Sequence, residues 1–176
     1  MTGKQNIMMS EKKTPLPTPT FSELLRSPVM LLAFGFGSGL ARKAPGTFGT
    51  LAAIPFWYGL QFLSPVAYMG VILVTFILGC YLCGASSKKL GVHDHGGIVW
   101  DEFVGYWLTM FMAPAGWLWA VYGFVLFRIF DIAKPQPIGW VDRRVHGGLG
   151  IMLDDILAGI YAALVLQGTA YLIHIL

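Results

Sequence analysis

Two adjacent carboxylates, Asp101 and Glu102, open a run of 25 uncharged residues, Phe103 to Phe127, and Arg128, Asp131 and Lys134 close it. A second acidic pair, Asp154 and Asp155, follows in VHGGLGIMLDDILAG. Of the nine acidic residues, Glu11 and Glu23 lie near the N-terminus and the other seven fall between Asp94 and Asp155. A solvated surface would spread them. Carboxylates gathered at one place cannot all stay ionised without a counter-charge. The nearby Arg and Lys residues are one answer, and a hard divalent cation is the other. Oxygen-only ligands point to Mg²⁺, with Mn²⁺ as the alternative. A metal, carboxylates, arginine and lysine together are equipment for phosphoryl chemistry.

Other routes to that chemistry are absent from the sequence. No arginine follows Cys83 at the spacing of a Cys-x5-Arg phosphate loop, and no DxD, PSGH, SRxxxxxH or DGxxAR pattern occurs. Cys80 and Cys83 form a CxxC inside the apolar run GCYLCGA, where packing is the expected role rather than metal or redox chemistry. His93-Asp94-His95, in a glycine-rich loop, offers a proton donor or a polar tip at neutral pH.

The elements that must position the acids belong to an apolar chain. Of its 176 residues 56% are hydrophobic and 12% charged, and the mean hydropathy is +0.65. These values lie outside the soluble average and indicate one integral membrane domain. The net charge of +3 suits basic loops against anionic headgroups, not a nucleic-acid surface. Residues 1–28 are polar and Pro-rich, without the apolar core of a signal peptide, and are expected as a disordered tail; the membrane domain then spans 29–176.

Pro28–Leu40 is apolar but short and glycine-rich, which predicts a re-entrant or interfacial segment. Residues 41–50, with Arg42 and Lys43, read either as a basic connector or as a glycine-rich phosphate cradle. From Ala44 to Ser87 there are 44 uncharged residues, enough for two crossings with a turn at Ser64-Pro65.

Phe103–Phe127 is either one span kinked at Pro114 or a hairpin turned at Pro114-Ala115-Gly116. The hairpin is the preferred reading. It brings Asp101 and Asp131 together and puts Arg42, Lys43, Lys88, Lys89, Arg128, Lys134, Arg143 and Arg144 on one face, as the positive-inside rule asks of the cytoplasmic side. Residues 131–153 are expected as a polar loop, after which Asp154-Asp155 starts the last helix, where acidic residues serve as ordinary N-terminal caps. Asp131 follows a helix and has no such excuse. Spacing also sets Asp101 with Gly105, and Asp155 with Gly159, on common helix faces, where the glycines admit close approach.

Taken in order, GFGSGLARKAPGTFGTLAAIP, HDHGGIVWDEFVG, FRIFDIAKPQP and VHGGLGIMLDDILAG resemble the phosphatidylglycerophosphatase A family over roughly residues 29–165. The resemblance implies an all-α, polytopic membrane helical bundle with its carboxylate site at the membrane boundary, formed by cytoplasmic loops and helix ends. It implies a Mg²⁺-dependent phosphatase of the bacterial inner membrane that converts phosphatidylglycerophosphate to phosphatidylglycerol and inorganic phosphate. Carried over by position, the catalytic set is Asp101, Glu102, Asp131, Lys134 and Asp155. The metal set is Asp101, Asp131, Asp154 and Asp155, and the phosphate-binding set is Arg42, Lys43, Thr47, Arg128 and Arg143. Glu102 or His95 is the expected base, and the nucleophile is a water at the metal or the carboxylate of Asp101 or Asp131. The alternatives are another Mg²⁺-dependent enzyme on a phospholipid headgroup and a cation-coordinating transporter, whose acids should lie deep within broken helices of related halves. No repeat is present here, and the acids sit at span ends.

Overall fold

A computed structural model of the chain describes residues 18–92 and 95–175, with residues 174 and 175 described in backbone only; His93 and Asp94 therefore lie outside the described residues. All regular structure among the described residues is helical. In order it comprises α1 (Phe21–Leu25), α2 (Pro28–Ala33), a 3-10 segment (Gly35–Leu40), α3 (Pro45–Leu60), α4 (Pro65–Leu90), α5 (Trp100–Thr109), α6 (Trp117–Ala133), α7 (Ile138–Arg144) and α8 (Gly147–Ile175).

The part of the expected tail from residue 18 onward is structured. In α1 the Glu23 carboxylate accepts hydrogen bonds from the Thr20 backbone N–H at 2.7 Å and from its hydroxyl at 2.8 Å, and Leu24 is fully buried. One apolar residue with a cap is enough to dock this short helix. The segment after Pro28 is broken, as its glycines suggest: Phe36 and Gly37 both take positive φ, at 58° and 99°.

α4 is long and apolar enough to cross a membrane. Ser64 caps its N-terminus by accepting from the Ala67 N–H at 3.3 Å, and Pro65 occupies the first turn. Gly91 ends it in the left-handed region, and Lys88 and Lys89 complement the dipole in the last turn. Its 26 residues span about 39 Å, longer than the roughly 30 Å hydrocarbon core. Two helices, Pro65–Leu90 and Gly147–Ile173, are long and apolar enough to cross a membrane. Val66, Leu73, Val74, Ile77 and Tyr81 on α4, Trp117, Leu118 and Ile132 on α6, and Leu164, Tyr171 and Leu172 on α8 are exposed on the outside of the bundle. An outer surface this apolar calls for a lipid environment or a partner.

The run 103–127 folds as a hairpin. Gly116, at φ 127°, caps α6, and Met112 turns with φ 55°. The first arm is shorter than the pattern suggests: α5 ends at Thr109, well before Pro114. The freed backbone groups are satisfied from other helices. The Tyr68 hydroxyl donates to Trp107 O at 2.7 Å, the Tyr106 hydroxyl to Ala120 O at 3.1 Å, and Gln167 Nε2 to Phe111 O at 2.8 Å. Phe103 to Trp107, in the helical part of the arm, are all buried.

α5 is the inner element, packed between α3, α4, α6 and α8. It crosses α8 at two glycines. A Cβ on Gly159 would meet Gly105 O at 2.6 Å, and one on Gly105 would meet Asp155 O at 2.9 Å and the Phe127 ring at 2.6 Å. Only hydrogen at both positions allows the backbones so close.

α8 starts earlier than its acidic pair indicates. It opens at Gly147, so Asp154 and Asp155 lie about two turns inside the helix and do not cap it. A Cβ on Gly148 would overlap Cys80 O, so glycine lets this first turn lie against α4, and packing overrides weak helix propensity. Lys134 ends α6 in the left-handed region with φ 42°, and Pro135 prevents continuation. The expected polar loop 131–153 is thus mostly helix, made of α7 and the first turns of α8.

Candidate active site

The alternation of helix directions collects the N-termini of α3, α5 and α8 and the C-termini of α4 and α6 at one end of the bundle. Asp101 and Glu102 stand in the first turn of α5. Asp155 reaches them from α8, one helical turn before the Gly105–Gly159 crossing, so the two glycines set the spacing of the acids. One oxygen from each of Asp101, Glu102 and Asp155 falls within 4.8 Å of the others. Glu102 Oε2 and Asp155 Oδ2 are buried with no hydrogen-bond partner in the protein. Buried carboxylate oxygens without donors are costly unless a cation or proton meets them. The donor set is all oxygen, the ligand chemistry that a hard cation such as Mg²⁺ takes, so the residue types fit it.

Arg128 is the counter-charge nearest this group. Its Nη1 lies 2.5 Å from Asp131 Oδ2 and 3.8 Å from Glu102 Oε1. Asp131, at the end of α6, thereby receives the partner that its helix position demands. Arg128 Nε is buried and without a hydrogen-bond partner, a free donor beside the acids.

Asp154 turns a different way. Neighbours on a helix point about 100° apart, and Asp154 Oδ2 meets Lys134 Nζ at 2.6 Å while the same ammonium meets Asp142 Oδ1 at 2.6 Å. Burial opposes the charge on Lys134, but its hydrogen bonds to Asp142 and Asp154 outweigh that and raise its pKa. Lys134 is thus a fixed cation.

Of the remaining residues expected at the site, Arg42 and Lys43 are exposed just ahead of α3 and Thr47 is half-buried in its first turn. The stretch Pro45–Thr50 is helix, not loop, because Ala44 takes φ 47° and Pro45 starts the helix. Arg143 lies exposed in the last turn of α7. His95 is buried; its Nδ1 accepts the Gly97 N–H at 3.0 Å and its ring packs 5.6 Å from that of Phe34, which ties it to its own loop. Cys83 is buried with its Sγ 3.9 Å from Met152 Sδ, a packing role.

One contributor escapes motif reading: Asp142, the second partner of Lys134, belongs to no acidic pair. Gly46, within the glycine-rich stretch 41–50 expected as a cradle, packs its α-carbon against the site: a Cβ there would overlap Glu102 Oε1 and come within 3.0 Å of Arg128 Nη1.

Buried acids beside an arginine and a clamped lysine, at the end of an apolar helical bundle, are groups of the kind phosphoryl chemistry uses. Comparison with known proteins specifies the class. The family model for Phosphatidylglycerophosphatase A matches residues 31–170, and the chain belongs to that family and is a phosphatase. Phosphatidylglycerophosphatase A of Escherichia coli K12 is 54% identical over 140 residues, covering 79% of this chain and 81% of that one. The Haemophilus influenzae protein of the same name is 47% identical over 151 residues, covering 84% and 91%. A Bacteroides thetaiotaomicron relative carrying a provisional name as a phosphatidylinositol-3-phosphatase is 34% identical over 151 residues, covering 82% and 94%. No solved structure matches.

Proposed function

We propose that the chain hydrolyses the terminal phosphate of phosphatidylglycerophosphate, releasing phosphatidylglycerol and inorganic phosphate, in a bacterial inner membrane with its site facing the cytoplasm. The reaction thereby serves phosphatidylglycerol and cardiolipin biosynthesis. The observation that carries the reading is the convergence of Asp101, Glu102, Asp155 and Arg128 at the end of a bundle whose outer faces are apolar. A phosphate there belongs to a molecule whose remainder stays in lipid. The same end of the chain carries Arg42, Lys43, Lys88, Lys89, Arg143 and Arg144, which supports the cytoplasmic orientation.

Asp101, Glu102 and Asp155 would hold Mg²⁺, with Asp131 beside them. Bound there, the ion would supply Lewis-acid stabilisation of charge on the phosphoryl oxygens. Arg128 holds Asp131 and steadies Glu102, and its free Nε is positioned to donate to a phosphate oxygen. Glu102 Oε2 accepts the proton of the attacking water while the new P–O bond forms. The bond to the glycerol oxygen breaks, and that oxygen takes up a proton from solvent water as it leaves. Lys134 holds Asp154 and Asp142 and adds positive potential at the boundary where the anionic headgroup arrives. Arg42, Lys43 and Arg143 form an exposed cationic rim for the same headgroup.

Phosphate release from phosphatidylglycerophosphate by purified protein in detergent tests this reading. Release with Mg²⁺ and its loss with EDTA support it. No release under either condition, from protein shown to be folded, contradicts it. The relative named for phosphatidylinositol 3-phosphate makes that lipid the comparison substrate, and preferential hydrolysis of it would reassign the headgroup.

A further inference from the structure

The bundle carries an apolar groove that the chemistry above does not use. It has a volume of about 680 Å³ and lies between α4, α5 and α8, where Pro65, Met69, Gly70, Phe76, Leu108 and Ile156 line it. Its end at Phe76 and Ile156 is the one nearest the acids along the chain. Ile156 follows Asp155 in the chain. Phe76 follows Thr75, whose carbonyl accepts the indole N–H of Trp100 at 3.1 Å, and Trp100 precedes Asp101. From Phe76 to Pro65 the groove follows 11 residues of α4 away from the site, about 16 Å along the helix axis. That is the direction and the order of length of one lipid tail hanging from a headgroup at the acids. Gly70 makes the notch: a Cβ there meets nothing within 4 Å.

We propose that this groove seats one acyl chain of the lipid whose phosphate reaches Asp101, Glu102 and Asp155, an inference that rests on the lipid-phosphatase reading. The tail gains little by entering, because the surrounding bilayer is as apolar as the groove. What the groove supplies is orientation. With a tail held along α4, the headgroup hangs at a fixed depth and angle over the carboxylates. The reacting phosphate then loses less freedom in reaching the transition state. The effect therefore appears in kcat for long-chain substrate more than in KM, and it vanishes for a substrate without tails.

The test compares dioleoyl phosphatidylglycerophosphate with its deacylated, water-soluble headgroup in mixed micelles. Gly70→Phe fills the notch from a position with open space around it, and Leu73→Trp fills the same groove from an exposed side chain. Gly168→Phe, also in open space but on α8 away from the groove, controls for added bulk on the outer surface. The proposal predicts that both groove variants lower kcat on the dioleoyl lipid by about five-fold. Headgroup hydrolysis and the Gly168→Phe variant keep the unmodified protein's values. Unchanged dioleoyl kinetics in both groove variants, or equal losses on the two substrates, overturn it. Failure of the unmodified protein on both substrates would instead contradict the phosphatase reading itself.

Discussion

The two acidic neighbourhoods at the active end of the bundle differ in how their charge is met. Around Lys134, two carboxylates share one ammonium, each at 2.6 Å. Around Arg128, one guanidinium meets Asp131 at 2.5 Å and Glu102 only at 3.8 Å, while Asp101 and Asp155 add two more carboxylates beside Glu102. Asp154 and Asp155 are adjacent in sequence, yet one helps form the satisfied neighbourhood and the other the deficient one. A deficit of positive charge among buried oxygens is a standing cost to the fold, tolerated where function needs it. The Lys134 neighbourhood reads as a brace and the Arg128 neighbourhood as the reaction centre.

The sharpest way to break this contrast is to exchange its two aspartates. Asp155→Asn should lower phosphate release by about a thousand-fold, the loss expected when a group acting on developing charge is removed. Asp154→Asn should cost far less, about ten-fold, because it weakens only a brace. Equal losses in a phosphate-release assay would erase the distinction.

The glycine crossing supplies the next largest effect. Gly159→Leu forces α5 and α8 apart at the level that sets the Asp155 spacing. It should destabilise the protein by about 1–3 kcal/mol, read as a lowered midpoint in detergent unfolding, and reduce activity at temperatures where the variant stays folded. Lys134→Ala follows. It leaves Asp154 without its cation, and about a ten-fold loss of activity is expected, partly restored in Lys134→Arg. Arg143→Ala, on the exposed rim, should change activity by about two-fold or less at physiological salt, with the difference growing as salt is lowered.

Much of this arrangement was legible in the sequence. The run without charge from Phe103 to Phe127, interrupted only by Pro114-Ala115-Gly116, gives the hairpin. The hairpin in turn brings Glu102 and Arg128 to the same end of the bundle. The i,i+4 pairs Asp101–Gly105 and Asp155–Gly159 signalled close approach, and in the structure they approach each other.

What spacing did not reveal depends on contacts between distant elements. Adjacent acids on a helix point apart, but sequence does not say which one turns inward. Asp101 and Glu102 both enter the tight group, whereas of Asp154 and Asp155 only Asp155 does. Lys134 and Asp154 are twenty residues apart and meet only because Lys134 turns left-handed before Pro135. The start of α8 at Gly147 was hidden because glycines weaken a helix in isolation, and their value here is contact with Cys80 on α4. α5 is short because tyrosine and glutamine side chains from other helices satisfy its freed carbonyls. No local pattern announces that.

The proposed metal site is the centre of this account, and a readout independent of turnover tests it most directly. Mn²⁺, which suits the same oxygen donors, can be titrated into the full-length protein in detergent and followed by electron paramagnetic resonance. The account predicts saturable binding that Mg²⁺ displaces, abolished in Asp155→Asn and retained in Asp154→Asn. Binding that survives Asp155→Asn, or that is lost only with Asp154→Asn, would contradict it and move the metal to the Lys134 side.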